Sequence, residues 1–177
     1  MDRRKAENIR VKQSITNTLF ALMDEKSLSD IQITELVNRA GVARASFYRN
    51  YSSKEDVLIT LIRDVLEQFR EEMRLEGDSF YCYENVRLSF LYFARYREYL
   101  LDLYRSGFLT ALQEEVNRFH ESVEGTMASS SIERYQLYIY TGALVNTGLV
   151  WLSEGPKTAP EDIARYFWAS ASKMLRR

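Results

Sequence analysis

Along almost the whole of this 177-residue chain, apolar side chains return every three or four positions with few interruptions. In residues 3–25, Val11, Ile15, Leu19 and Leu22 recur at spacings of four, four and three, with Phe20 and Met23 widening the stripe. That is the period of an amphipathic helix, not the two-residue alternation of a half-buried strand. Two prolines and seven glycines leave little to punctuate a turn-rich β fold. The pattern predicts an all-α protein.

The run Asp24-Glu25-Lys26-Ser27-Leu28-Ser29-Asp30 breaks the period and predicts a short connection. A second, short helix follows, starting near 32–34 and ending at Ala40. In it Ile33, Leu36 and Val37 share a face, and Gly41 supplies the stop. After the Gly41-Val42 turn, residues 43–51 predict a third helix with Phe47 and Tyr51 inward at i and i+4. Two short helices around a tight glycine turn describe a helix-turn-helix. Ser52-Ser53 offers an N-cap, and Glu55 and Asp56 lie where a helix dipole favours acids. They open a long amphipathic helix marked by Leu58, Ile62, Val65 and Phe69, continuing to about Met73 and closed by Gly77-Asp78-Ser79.

Five further helices are predicted over 80–95, 98–104, 108–124, 132–152 and 160–175, divided by Ser106-Gly107, Gly125, Ser129-Ser130-Ser131 and Gly155-Pro156. The expected organisation is a helix-turn-helix head over 1–53 and a larger helical body over 54–177. The long helix 54–74 joins them and can belong to both.

Charge is unevenly divided. Residues 1–54 carry ten basic against six acidic side chains, while the rest is acidic, so a net charge of -1 conceals a modestly basic head. The single cysteine, Cys82, excludes an internal disulfide, and with Tyr81 and Tyr83 beside it reads as a small buried hydrophobe. Without a signal-like N-terminus, a cytoplasmic location is expected. The most apolar stretch, 135–152, is interrupted by Gln136, Thr141, Asn146 and Thr147 and falls short of the roughly 20 apolar residues of a membrane span, so a buried helix and no membrane partner are expected. No phosphate-binding glycine loop, metal-ligand cluster or nucleophile motif is present, which argues against an enzyme and against a cofactor or metal. The lone histidine, His120, lies near Glu121 and Glu124 and reads as a surface or boundary residue.

In the predicted third helix, Arg44, Ala45 and Ser46 come first, at the end that enters a major groove in helix-turn-helix docking, and small Ala45 permits close approach. Tyr48, Arg49 and Asn50 point outward, toward phosphates and base edges, with Arg44 and Arg49 the foremost candidates. The segment 33–58, ITELVNRAGVARASFYRNYSSKEDVL, resembles the DNA-binding signature of the TetR family of bacterial transcriptional regulators. The shared features are the second-helix apolar pair, Ala-Gly-Val at the turn, Phe-Tyr in the recognition helix and Ser-Lys-Glu opening the next helix. The resemblance implies that Lys54 contacts a phosphate, aided by helix N-terminal amides, with Thr34 a further phosphate contact. The chain departs from the family's common pattern at Asn50, often histidine, and at Ala45, often glycine. Asparagine can still pair with adenine through two hydrogen bonds.

The resemblance also implies a dimer through helices 132–152 and 160–175, matched to a pseudo-palindromic operator in double-stranded DNA. Residues 132–152 are apolar nearly all round, with Gly142, Ala143 and Gly148 allowing a partner helix to approach. Between Phe80 and Tyr104 stand nine aromatics, most of them expected as core. Phe90, Phe93 and Tyr96, with Phe108, Tyr138 and Asn146, are the candidate lining of an inducer pocket for a flat or partly polar small molecule. The expected function is a ligand-responsive repressor in which the ligand shifts the long helix from residue 54 and so the spacing of the recognition helices. The alternative is a TetR-like regulator or coactivator controlled by a protein partner.

Overall fold

The computed structural model describes residues 3–74, 80–125, 127–155 and 157–175, and every regular element among them is helical. These are α1 (Arg3–Met23), α2 (Ile33–Ala40), α3 (Arg44–Asn50), α4 (Lys54–Glu72), α5 (Tyr83–Arg95), α6 (Arg97–Arg105), α7 (Leu109–Glu124), α8 (Ile132–Ser153) and α9 (Pro160–Leu175). The connection after α1 contains one turn of 3-10 helix, Leu28–Asp30. The expected closing Gly77-Asp78-Ser79 lies outside the described residues. No helix among the described residues is long and apolar enough to cross a membrane.

The chain divides into two compact units, Met1–Arg63 and Asp64–Arg177, with the division inside α4. In the first unit the α1 stripe does what its spacing implies: Ile15, Leu19 and Leu22 are fully buried, joined by Leu36, Phe47, Val57 and Leu58. Each such side chain contributes about 1.5–3 kcal/mol by leaving water. Ser14 Oγ donates to the Ala40 carbonyl at 2.7 Å, tying α1 to the end of α2.

In the second unit α5 packs on α8 and α9, and α7 on α8. One cluster joins Val86 and Phe90 of α5 to Tyr140, Leu144, Trp151 and Leu152 of α8 and Phe167 of α9. A second is built from Phe69, Phe80, Tyr92 and Phe119. The helix expected from residue 80 begins at Tyr83, because the backbone ahead of it is recruited elsewhere. Buried Asn85 donates from Nδ2 to the carbonyls of Arg74 and Phe80, both at 2.6 Å, and accepts from the Arg74 amide at 2.9 Å.

Two sequence expectations are corrected. His120 is 4% exposed, not a surface residue, because it shares the inward stripe of α7 with Leu112, Val116 and Phe119. At Gly148 the close neighbour belongs to the chain itself: a Cβ there would lie 2.4 Å from Cε2 of Phe93, so this glycine accommodates the α5 ring on α8.

Candidate functional site

The α2–α3 turn is set by one residue's backbone. Gly41 sits at φ 66°, the left-handed region open to glycine. Its amide donates to Asn38 O at 3.2 Å and that of Val42 to Val37 O at 3.0 Å, so the last carbonyls of α2 are satisfied while the chain reverses. Phe47 is fully buried and Tyr51 nearly so, with rings 5.7 Å apart, which fixes the rotation of α3 and turns its other side outward.

On that outer side the candidate residues differ in how they are held. Arg44 is exposed and its guanidinium lies 5.5 Å from the centre of the Tyr48 ring. It donates to Thr34 Oγ1 at 3.4 Å and to the Tyr48 hydroxyl at 3.3 Å. Thr34, Arg44 and Tyr48 therefore form one cluster across α2 and α3, held by contacts weak enough to yield to a stronger acceptor. Ala45 is exposed beside it and Ser46 half-buried. Arg49 is exposed and makes no hydrogen bond or ion pair among the described residues. Asn50 is partly committed: its Nδ2 donates to the Ser46 carbonyl at 2.8 Å.

Lys54 turns back into its own unit. Its ammonium donates to the carbonyls of Ser29 and Ile31 at 2.9 and 2.8 Å, closing the 3-10 turn against the start of α4 and leaving one of its three protons uncommitted. The start of α4 is capped as its sequence implies, with Ser53 Oγ accepting from the Asp56 amide at 3.1 Å. The Asp56 carboxylate accepts in return from the Ser52 amide at 2.8 Å.

The candidate pocket residues are not gathered into one place. Phe90 is fully buried against Phe93, Trp151 and Phe167, and Phe93 lies on Gly148. The Tyr96 hydroxyl donates to Gln68 Oε1 at 2.8 Å. Tyr138 donates to Glu121 Oε1 at 2.6 Å beneath the Arg134 guanidinium; that bond and Arg134 hold the Glu121 carboxyl below its usual pKa. Phe108 is half-buried just ahead of α7. Asn146 is exposed beside a depression of about 310 Å³ that Leu109, Thr110, Gln113 and Gly142 also line.

Sequence reasoning missed the polar interior of this unit. His120 is edge-on to Phe80, 4.9 Å between ring centres, and borders Phe119, Tyr81 and Tyr140. Burial drives its pKa from 6.5 down to about 3, so the ring is neutral. Burial likewise pushes the Tyr140 hydroxyl upward. The signal that could have found His120 was the run Leu112, Val116, His120 at i, i+4, i+8.

Residues 15–61, spanning α1 to the middle of α4, match the family described as bacterial regulatory proteins, tetR family. Over 55 residues, 31% of this chain, the sequence is 38% identical to the HTH-type transcriptional regulator EthR of Mycobacterium tuberculosis. That match spans 26% of EthR, about a quarter of its length. Among solved structures, Lin0861 from Listeria innocua aligns over 99% of this chain and 94% of its own, with a TM-score of 0.74 at 14% identity. A TetR transcriptional regulator from Streptococcus agalactiae aligns over 95% and 97%, with a TM-score of 0.64 at 21% identity. The structural likeness covers the all-helical fold of the whole chain, and the sequence likeness is concentrated on the helix-turn-helix. The likeness to the tetR family of bacterial regulatory proteins is thus carried by this N-terminal segment.

Proposed function

We propose that the protein is a sequence-specific, DNA-binding transcriptional regulator, acting in the cytoplasm as a dimer on a pseudo-palindromic operator and released by a ligand as a repressor. The observation that carries this reading is the outer side of α3. There Arg44, with Thr34 and Tyr48, and Arg49, which has no partner among the described residues, stand exposed over a rigidly packed Phe47. Arg44, first in the recognition helix, reads a base edge, for which a planar fork suits guanine O6 and N7. Arg49 and the hydroxyls of Thr34, Ser46 and Tyr48 contact phosphate and sugar, and Ala45 leaves room for the backbone. Asn50 contributes its free carbonyl oxygen, and Lys54 the proton that its two carbonyl bonds leave over.

Dimerisation is supported by the outward side of α8. At about 100° per residue, Ile132, Tyr135, Ile139, Asn146 and Val150 fall on one stripe, and four of the five are exposed large apolar residues. On α9, Tyr166 is 71% exposed. A second copy pairing through 132–152 and 160–175 would cover both.

The test is a titration against labelled DNA from upstream of the protein's own gene, with unrelated competitor, at two salt concentrations. Specific binding that weakens with salt and drops at least tenfold in Arg49→Ala supports the reading. No binding there, nor to a randomised-site library, overturns it. The packing of Phe90 and Phe93 by the chain's own side chains favours, as a second reading, a regulator controlled by a protein partner.

A further inference from the structure

Arg44 is the first residue of α3 and is exposed. An arginine in such a place ordinarily samples many rotamers, and ordering them on one base weakens its selection. Here a support runs outward from the core. Phe47 is fully buried, and its ring meets that of Tyr48 edge-on, with 5.3 Å between centres and 89° between planes. Tyr48 is thereby held although 49% exposed. The Arg44 guanidinium, one helical turn back, lies 5.5 Å from the centre of the Tyr48 ring. Its Nη2 donates to the Tyr48 hydroxyl at 3.3 Å, and its Nη1 to Thr34 Oγ1 of α2 at 3.4 Å. Two helices therefore orient one guanidinium. Arg49, exposed on the same helix, makes no hydrogen bond or ion pair among the described residues.

The donor inventory shows what this orientation leaves available. A guanidinium carries five N–H groups, so three remain after these two bonds, one on each terminal nitrogen among them. That pair is what guanine O6 and N7 accept. Each hydroxyl accepts through a lone pair and keeps its own proton, which a phosphate oxygen can take. Support and phosphate contact thus use different atoms of the same side chains, and neither displaces the other. At these lengths both bonds bias the guanidinium without locking it, so the effect on base preference is several-fold.

We propose that Thr34 and Tyr48 are positioning residues that act through Arg44: they set how strongly the protein prefers guanine at one position of each operator half-site, while Arg49 supplies affinity without base preference. Both roles rest on the DNA-binding function proposed above.

The full-length protein first selects sites from a randomised duplex library, and its base preferences are then measured by titrating defined duplexes. One guanine per half-site is expected at which 7-deazaguanine, lacking the N7 acceptor, weakens the wild type at least fivefold and Arg44→Ala not at all. Tyr48→Phe keeps the ring on Phe47 and removes one oxygen; Thr34→Val keeps the shape and removes the hydroxyl. Each is expected to reduce the preference for that guanine at least threefold, with preferences at the other selected positions unchanged. Combined with Arg44→Ala, neither reduces it further. Arg49→Ala is expected to weaken every duplex alike and to lower the salt slope by about one. Circular dichroism checks that each variant keeps its helix content. Equal weakening on every duplex in Tyr48→Phe and Thr34→Val, with the guanine preference intact, makes the two residues phosphate contacts only and overturns the proposal. A guanine preference that survives Arg44→Ala does the same. Both of those outcomes leave selective DNA binding standing, whereas a wild type that selects no site sinks the regulator and these roles with it.

Discussion

At the scale of single residues, the interior of the second unit depends on a few polar side chains whose environments are unlike their usual ones. His120 titrates near pH 3 when folded and near 6.5 when unfolded. Between those values the unfolded chain holds the extra proton, so stability is complete above about pH 6.5 and is lost as pH falls toward 3. The slope is at most about 1.4 kcal/mol per pH unit. Urea unfolding at a series of pH values is expected to show this slope in the wild type and a flatter one in His120→Phe; identical slopes would refute the assignment. Asn85 makes three hydrogen bonds that hold Arg74 and Phe80 to the start of α5. Asn85→Leu removes all three and is expected to lower stability by about 1–3 kcal/mol, measured by thermal unfolding.

At the scale of elements, the α2–α3 turn and the outer stripe of α8 can be tested separately. Nothing lies within 4 Å of a Cβ built on Gly41, so the cost of a side chain there is conformational. Gly41→Ala is expected to cost about 1–2 kcal/mol from the left-handed backbone alone, and a stability unchanged within error would contradict that account. The helix positions in this region were legible because Ile33, Leu36, Val37, Phe47 and Tyr51 repeat at helical spacing and Gly41 stops α2. The start of α5 was less so, since Phe80 and Tyr81 continue the apolar period while Asn85 diverts the backbone before it, a long-range effect that periodicity does not carry.

At the scale of the whole molecule, the proposed function requires two recognition helices on one assembly. Ile139, 57% exposed near the middle of the α8 stripe, is the place to interrupt it. Ile139→Lys is expected to leave the monomer's helix content unchanged by circular dichroism, shift the mass toward monomer in light scattering, and weaken operator binding at least tenfold. A dimer of undiminished stability would place the interface elsewhere. The same variant separates the contributions of contact and symmetry, because Arg44, Arg49 and the turn at Gly41 are untouched by it.

The sequence by itself determined the elements and the helix-turn-helix, because helical periodicity, glycine stops and caps such as Ser53 act through neighbours a few positions away. It also determined that Arg49 faces out, since at about 100° per residue it lies opposite the side on which Phe47 and Tyr51 are buried. Only the tertiary structure decided which polar groups were already engaged. That Lys54 donates to Ser29 and Ile31, that Phe93 rather than a partner helix occupies the space at Gly148, and that His120 faces Tyr140 across an aromatic interior are all contacts between distant residues. Their energies come from burial and pairing in three dimensions, which residue type and spacing along one helix do not record.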